Sequence, residues 1–145
     1  CARSFTRCAA VGRPQFQRGP TSHVRQGVLM NGLPEDFDAS FLVGAILVQV
    51  CVGLHEVILR FVADIDITIE CDVDVTTGTG SVALALAPEI GSAFIGALHQ
   101  RVAAARGSPE GDLAIELGDV RFTLHDSSDA YESYHVRHGD RLVVV

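Results

Sequence analysis

The chain has 145 residues, enough to bury one hydrophobic core but too few for two ordinary domains. Its net charge of −7 is unevenly spread: residues 1–29 carry five Arg and no acid, whereas the remainder carries six Arg and all 18 carboxylates. An acidic body repels phosphate backbones, which argues against nucleic acid as a partner. The sequence contains no Lys, which excludes mechanisms that need an amine nucleophile or a phosphate-binding lysine.

Residues 1–29 are predicted to be a disordered or non-native extension. They follow neither the strand period nor the helix period, and they are rich in Arg, Gly, Pro, Gln and Ser. We expect the natural start at Met30, the only Met, where charge and patterning change; an Arg-rich transit peptide is the alternative. Because neither a secretory signal nor a long apolar run is found, we expect a cytoplasmic protein without a membrane partner.

Residues 30–145 are predicted to form a single domain with an internal repeat (34–75 and 88–125) and a C-terminal hairpin (130–145). The segment PEDFDASFLVGAILVQV at 34–50 is echoed by PEIGSAFIGALHQRV at 88–102, with Gly44 matching Gly96. Downstream, VILRFVADIDITI at 57–69 is echoed by LAIELGDVRFTL at 113–124. Two related units therefore share one core.

Each copy is predicted to begin with a short helix opened by Pro, followed by antiparallel strands. Loops at 76–81 and 107–111 separate these elements. The expected fold class is α+β, mainly β, with the duplicated unit forming a single barrel- or sandwich-like domain with short helices. The helices are expected at 34–43 and 88–97, and the strands at 45–52, 56–62, 64–75, 98–105, 112–118 and 119–125, before the last hairpin.

Four segments share a pattern with a known family: FLVGAILVQV, VILRFVADIDITIE, FIGALHQRV and the closing FTLHDSSDAYESYHV. On these segments, which span about residues 40–145, the chain resembles a family of small, duplicated bacterial proteins known only as a domain of unknown function. It implies no reaction, cofactor or catalytic residue.

Acidic residues alternate with apolar ones along the predicted strand at 64–75. A strand of that length places five carboxylates on one face: Asp64, Asp66, Glu70, Asp72 and Asp74. This face is interpreted as a solvated surface that discourages aggregation, as a site for a basic protein partner, or as a Ca²⁺ site. The DIDIT segment also matches a phosphatase nucleophile motif, but only superficially, because the alternation continues through it and Lys is absent.

The C-terminal segment contains aromatic residues and histidines that are candidate site residues. Tyr131, Glu132 and Tyr134 either line a recognition groove or serve structurally, with one ring over the end of the barrel and its hydroxyl bonded to the backbone. His125, His135 and His138 lie near turns, where a zinc site would need three or four convergent donors. Cys51 and Cys71 are expected to be buried free thiols, although a disulfide between them stays open.

These patterns do not determine a function. The leading hypothesis is a non-enzymatic protein-interaction module, accessory or immunity-like, that binds a basic protein through the acidic strand face. The alternative is a small-ligand-binding β-barrel, and an enzyme with an unrecognised site is third. We expect no cofactor and no metal.

Overall fold

The computed structural model describes residues 32–127 and 131–145. A 3₁₀ helix (Ala39–Leu42), an α-helix and ten strands make up this part of the chain. The predictions for residues 1–29 and for a start at Met30 lie outside the described residues. The elements in chain order are β1 (Leu47–Val52), β2 (Val57–Phe61), β3 (Ile65–Ile69), β4 (Val73–Thr77), β5 (Gly80–Leu84), α1 (Ala87–Ile95), β6 (Val102–Gly107), β7 (Leu113–Leu117), β8 (Val120–Leu124), β9 (Tyr134–His138) and β10 (Arg141–Val144).

The strands form two antiparallel five-stranded sheets, which confirms the α+β, mainly β fold class and favours the sandwich-like alternative. Sheet 1 has the order β1-β2-β3-β9-β10, and sheet 2 has the order β5-β4-β8-β7-β6. Alternate residues of the inner strands point into one shared apolar core; Ile65, Ile67 and Ile69 of β3 are buried, as are Leu113 and Ile115 of β7.

The chain changes sheet between β3 and β4, so the predicted single strand at 64–75 is wrong. After Ile69, residues Glu70, Cys71 and Asp72 carry the chain across to sheet 2. The alternation continues because both strands bury one face, and period two cannot distinguish one long strand from two strands in opposite sheets. The predicted loop at 76–81 is likewise corrected, since its ends belong to β4 and β5 and form a hairpin.

The two sheets have equivalent strand orders. Sheet 1 runs β1-β2-β3-β9-β10 from β1, and sheet 2 runs β6-β7-β8-β4-β5 from β6. The hairpin β4–β5 pairs with β8, and the hairpin β9–β10 pairs with β3, so each half of the chain gives its hairpin to the other half's sheet. The first strands of both halves also shift register near their starts, between Leu47 and Gln49 and between Val102 and Ala104.

The two halves meet in a reciprocal set of backbone hydrogen bonds. Gly44 N–H donates to Val102 O and His99 N–H donates to Leu47 O, each at 2.8 Å. Gly44 (φ 87°) and His99 (φ 67°) both adopt left-handed backbone, whereas Gly96 ends α1 in right-handed conformation at φ −62°. The predicted match of Gly44 with Gly96 is therefore wrong, because His99 is the counterpart of Gly44.

The two helices pack against the strands through aromatic residues. Phe94 of α1 stacks on Phe122 with ring centroids 4.0 Å apart, and Phe41 of the 3₁₀ helix stacks on His138 at 4.7 Å. Gly91 gives α1 close access to β1, since a Cβ at this position would lie 2.3 Å from a methyl of Val52. No helix in the described ranges is long and apolar enough to cross a bilayer.

Candidate functional site

The predicted acidic residues do not share one face. Asp64 lies in the turn before β3 and Asp66 lies on β3 in sheet 1, whereas Asp74 lies on β4 in sheet 2. Glu70 and Asp72 are exposed in the segment that crosses between the sheets. The physical reason is the sheet change at Cys71, which is buried and takes the chain through the edge of the core.

Asp66 is flanked by two arginines of neighbouring strands. The strand registers place Arg60 of β2 and Arg137 of β9 directly opposite it. The Arg137 guanidinium donates to an Asp66 carboxylate oxygen, and Arg60 Nε lies 3.9 Å from the other. This hydrogen bond raises the pKa of Arg137. With only 19% of its side chain exposed, Asp66 contributes to cross-strand pairing rather than to an open acidic surface.

Asp74 is engaged in a second charged cluster, on sheet 2. His125 Nε2 lies 2.8 Å from an Asp74 oxygen, and His125 Nδ1 lies 3.3 Å from Asp112 Oδ1. Partial burial lowers the pKa of His125, but the two carboxylates raise it by more, so the net shift is upward. Asp112 was missed by the sequence analysis, because nothing in its local pattern indicates contact with His125.

Tyr134 is buried, which favours the structural role over the recognition groove and removes it from the predicted partner-binding residues. Its side chain is 0% exposed, and its hydroxyl donates to the Gly111 carbonyl over 2.5 Å. Burial raises the pKa of Tyr134, and burial likewise raises the pKa of the nearby Cys71 thiol to about 12. The hydroxyl bond to the backbone is the one expected for the structural role.

Three of the predicted site residues do come together: Glu70, Tyr131 and Glu132. They line a surface depression of about 370 Å³ with His55, Cys71 and Ser133. Glu70 N–H donates to Ser133 O at 3.0 Å, which fixes the end of β3 beside the residue that precedes β9. Tyr131 is 83% exposed and does not belong to β9, so the C-terminal hairpin begins at Tyr134 and is shorter than the predicted 130–145.

The depression is acidic, and polar contacts hold its lining residues in place. Its described lining residues include the carboxylates of Glu70 and Glu132 but no Arg. Glu132 Oε2 lies 2.7 Å from His135 Nε2, and the Ser133 hydroxyl donates to Asp126 Oδ1 at 2.9 Å. Such a site offers negative charge next to an aromatic ring.

Other chemistries have less support from the geometry. In the part of the chain that the structure describes, no three His, Cys, Asp or Glu side chains are grouped so that they could hold a metal ion. Cys51 and Cys71 are free thiols, with Cys71 buried and Cys51 half-buried.

Comparison with protein-family models, with curated proteins and with solved structures finds no match to this chain. The site must therefore be interpreted from its own geometry.

Proposed function

We propose that the protein is an interaction module for a basic protein partner, and that an Arg or Lys side chain of the partner enters the depression beside Glu70 and Glu132. The observation that carries this proposal is the pairing of two carboxylates with the exposed ring of Tyr131 around one depression. A cation there gains charge attraction together with a cation–π contact of about 1 kcal/mol.

The backbone supports this assignment by holding the two carboxylates in place. Glu70 follows β3, and Glu132 lies two residues before β9, which pairs with β3 in sheet 1. The Glu70–Ser133 hydrogen bond keeps both segments adjacent, so a ligand meets a preformed site. The remaining acidic residues of the body attract a basic partner over a longer range and speed its approach.

The proposed binding site is this depression and not the continuous acidic strand face that the sequence indicated. Asp66 is paired with arginines, and Asp74 contacts His125; neither residue lines the depression, so neither is proposed as a contact residue. Asp64 is exposed at the opposite end of β3, about 20 Å from Glu70 at the usual rise per residue of a strand.

The alternative of a small-ligand-binding barrel gains less support. The space between the sheets is occupied by large buried side chains, including Phe94, Phe122 and Leu59. A small cationic ligand in the surface depression would use the same carboxylates, and it is one outcome of the test below.

The test uses two synthetic decapeptides that differ only in carrying Arg or its neutral isostere citrulline. We expect the Arg peptide to shift the backbone NMR signals of Glu70, Tyr131 and Glu132, and the citrulline peptide to bind at least tenfold more weakly. Free arginine that binds as tightly as the peptide would indicate a small-ligand site instead.

Matched variants locate the site. Glu70→Gln and Glu132→Gln should each weaken binding about tenfold, or about 1.4 kcal/mol. Asp64→Asn is the control, because it changes the net charge equally and Asn tolerates the left-handed backbone found there at φ 59°. Equal losses in all three variants would mean that only overall charge matters, and the proposed site would be rejected.

A further inference from the structure

Strand β5 is an edge strand without the usual protection. Within residues 32–127 and 131–145 it pairs with β4 on one side only, and its sequence GSVAL contains no charged residue and no Pro. Its residues are exposed or half-buried throughout, and Val82 is 60% exposed. An exposed edge strand without charge or Pro is a template for pairing with another strand.

The other edge strands of the described sheets have features that prevent pairing with a further strand. β1 and β6 contain register shifts, and the segments that precede them are joined by the bridge between Ile46 and Arg101. β6 also carries Arg106, and β10 begins with Arg141. Bulges and positive charges are devices by which natural sheets avoid edge pairing. β5 lacks both of them.

Val82 is more exposed than the residue that corresponds to it in the other hairpin. By strand order and register, the hairpin β4–β5 corresponds to β9–β10, and Val82 corresponds to Val143, which is only 8% exposed. The end of β9 is covered by Phe41, which stacks on His138. Since Val102 is the counterpart of Leu47, the counterpart of Phe41 is Gly96, which has no side chain to cover the end of β4.

We propose that two copies of this chain associate through their β5 strands, antiparallel, about a twofold axis at Val82. This register places Val82 opposite Val82 of the second copy, and Ser81 opposite Ala83. The two small residues allow close approach on the outer face, while the valines pack on the inner face. Two sheets then become one continuous sheet with an isologous interface.

Charge favours a second copy over a basic partner at this edge. From residue 30 onward the chain has six Arg against 18 carboxylates, so two copies repel each other over most of their surface. β5 itself carries no charge, and of the β4 residues paired with it only Asp74, opposite Ala83, is charged; its carboxylate contacts His125. Two acidic bodies therefore meet there with less repulsion than elsewhere. A basic protein would gain no charge attraction from this strand.

The interface is small, so the dimer should be weak. One pair of five-residue strands covers less than the roughly 800 Å² per partner of a standard interface. We expect a dissociation constant on the order of 10–100 µM.

The experiment is sedimentation velocity of the full chain from about 1 µM to 1 mM, with amide hydrogen exchange at both ends of that range. We expect concentration-dependent dimerisation and protection of the β5 amides at the high concentration only. Val82→Arg, which places two cations at the axis, should weaken the dimer at least tenfold. Leu142→Arg on β10 is the matched control, because Leu142 is 58% exposed against 60% for Val82.

Exchange measured on the wild type keeps the test independent of how well either variant folds. A chain that stays monomeric at 1 mM would overturn the proposal. A dimer without added protection in β5, or one that Leu142→Arg weakens as much as Val82→Arg, would also overturn it.

Discussion

Replacing Tyr134 by Phe removes one hydroxyl from a site where both partners are fixed. The ring is fully buried, and the hydroxyl donates to Gly111 O at 2.5 Å. Phe fills the same space, so the apolar burial is kept and only the hydrogen bond is lost. The net value of such a bond is about 1 kcal/mol, and removing the donor to a buried carbonyl brings the expected loss to about 2 kcal/mol.

Urea denaturation followed by far-UV circular dichroism measures this loss, because the chain contains no Trp and only two Tyr for fluorescence. With an m-value of about 2 kcal/mol per molar, the midpoint should fall by about 1 M. Tyr131→Phe is the control, since Tyr131 is exposed and such surface changes stay within about 0.5 kcal/mol. If both variants lose equally little free energy of unfolding, the Tyr134 hydroxyl does not stabilise the Gly111 loop and the argument fails.

Two further predictions concern backbone strain and pH. Gly44→Ala should cost about 1–2 kcal/mol, because φ is 87° there and nothing lies within 4 Å of an added Cβ, whereas His99→Ala at its counterpart should cost less than half of that. The pKa of His125 is raised above its unfolded value of 6.5, so its contribution to stability is complete below that pH and is lost as the pH rises through the higher folded pKa. The stability difference between wild type and His125→Gln should therefore shrink from pH 5.5 to pH 8.5 in urea titrations, and a difference that is constant or grows would contradict the Asp74 and Asp112 contacts.

The sequence predicted the strands well where a local period decides them. β2, β3, β7 and β8 each fall within a predicted strand, because a core face repeats every second residue. It could not predict the crossing at Cys71, where the alternation passes from one sheet to the other without a break. The match between Gly44 and Gly96 was also wrong. A sequence comparison pairs glycine with glycine, but the residue that shares the left-handed backbone of Gly44 is His99.

The candidate site shows the same limit. Glu70 and Glu132 were both singled out from sequence, but their proximity depends on β3 pairing with β9, a contact between residues more than 60 apart. Conversely, Asp66 and Asp74 are close in sequence and were grouped, although their contacts lie in different sheets. Local patterns indicate which residues are polar and which are buried, whereas the strand pairing decides which of them meet.

The exchange of hairpins connects these findings. Each sheet takes three strands from one half of the chain and two from the other, so neither half can complete a sheet alone. The depression forms where β3 of the first half meets the segment before β9 of the second, and it therefore depends on both halves being folded together. The same exchange leaves β5 outermost in sheet 2, where the sequence has no aromatic residue to match Phe41. One topological feature thus produces both the acidic depression, where charge favours a basic partner, and the uncharged edge, where charge favours a second copy.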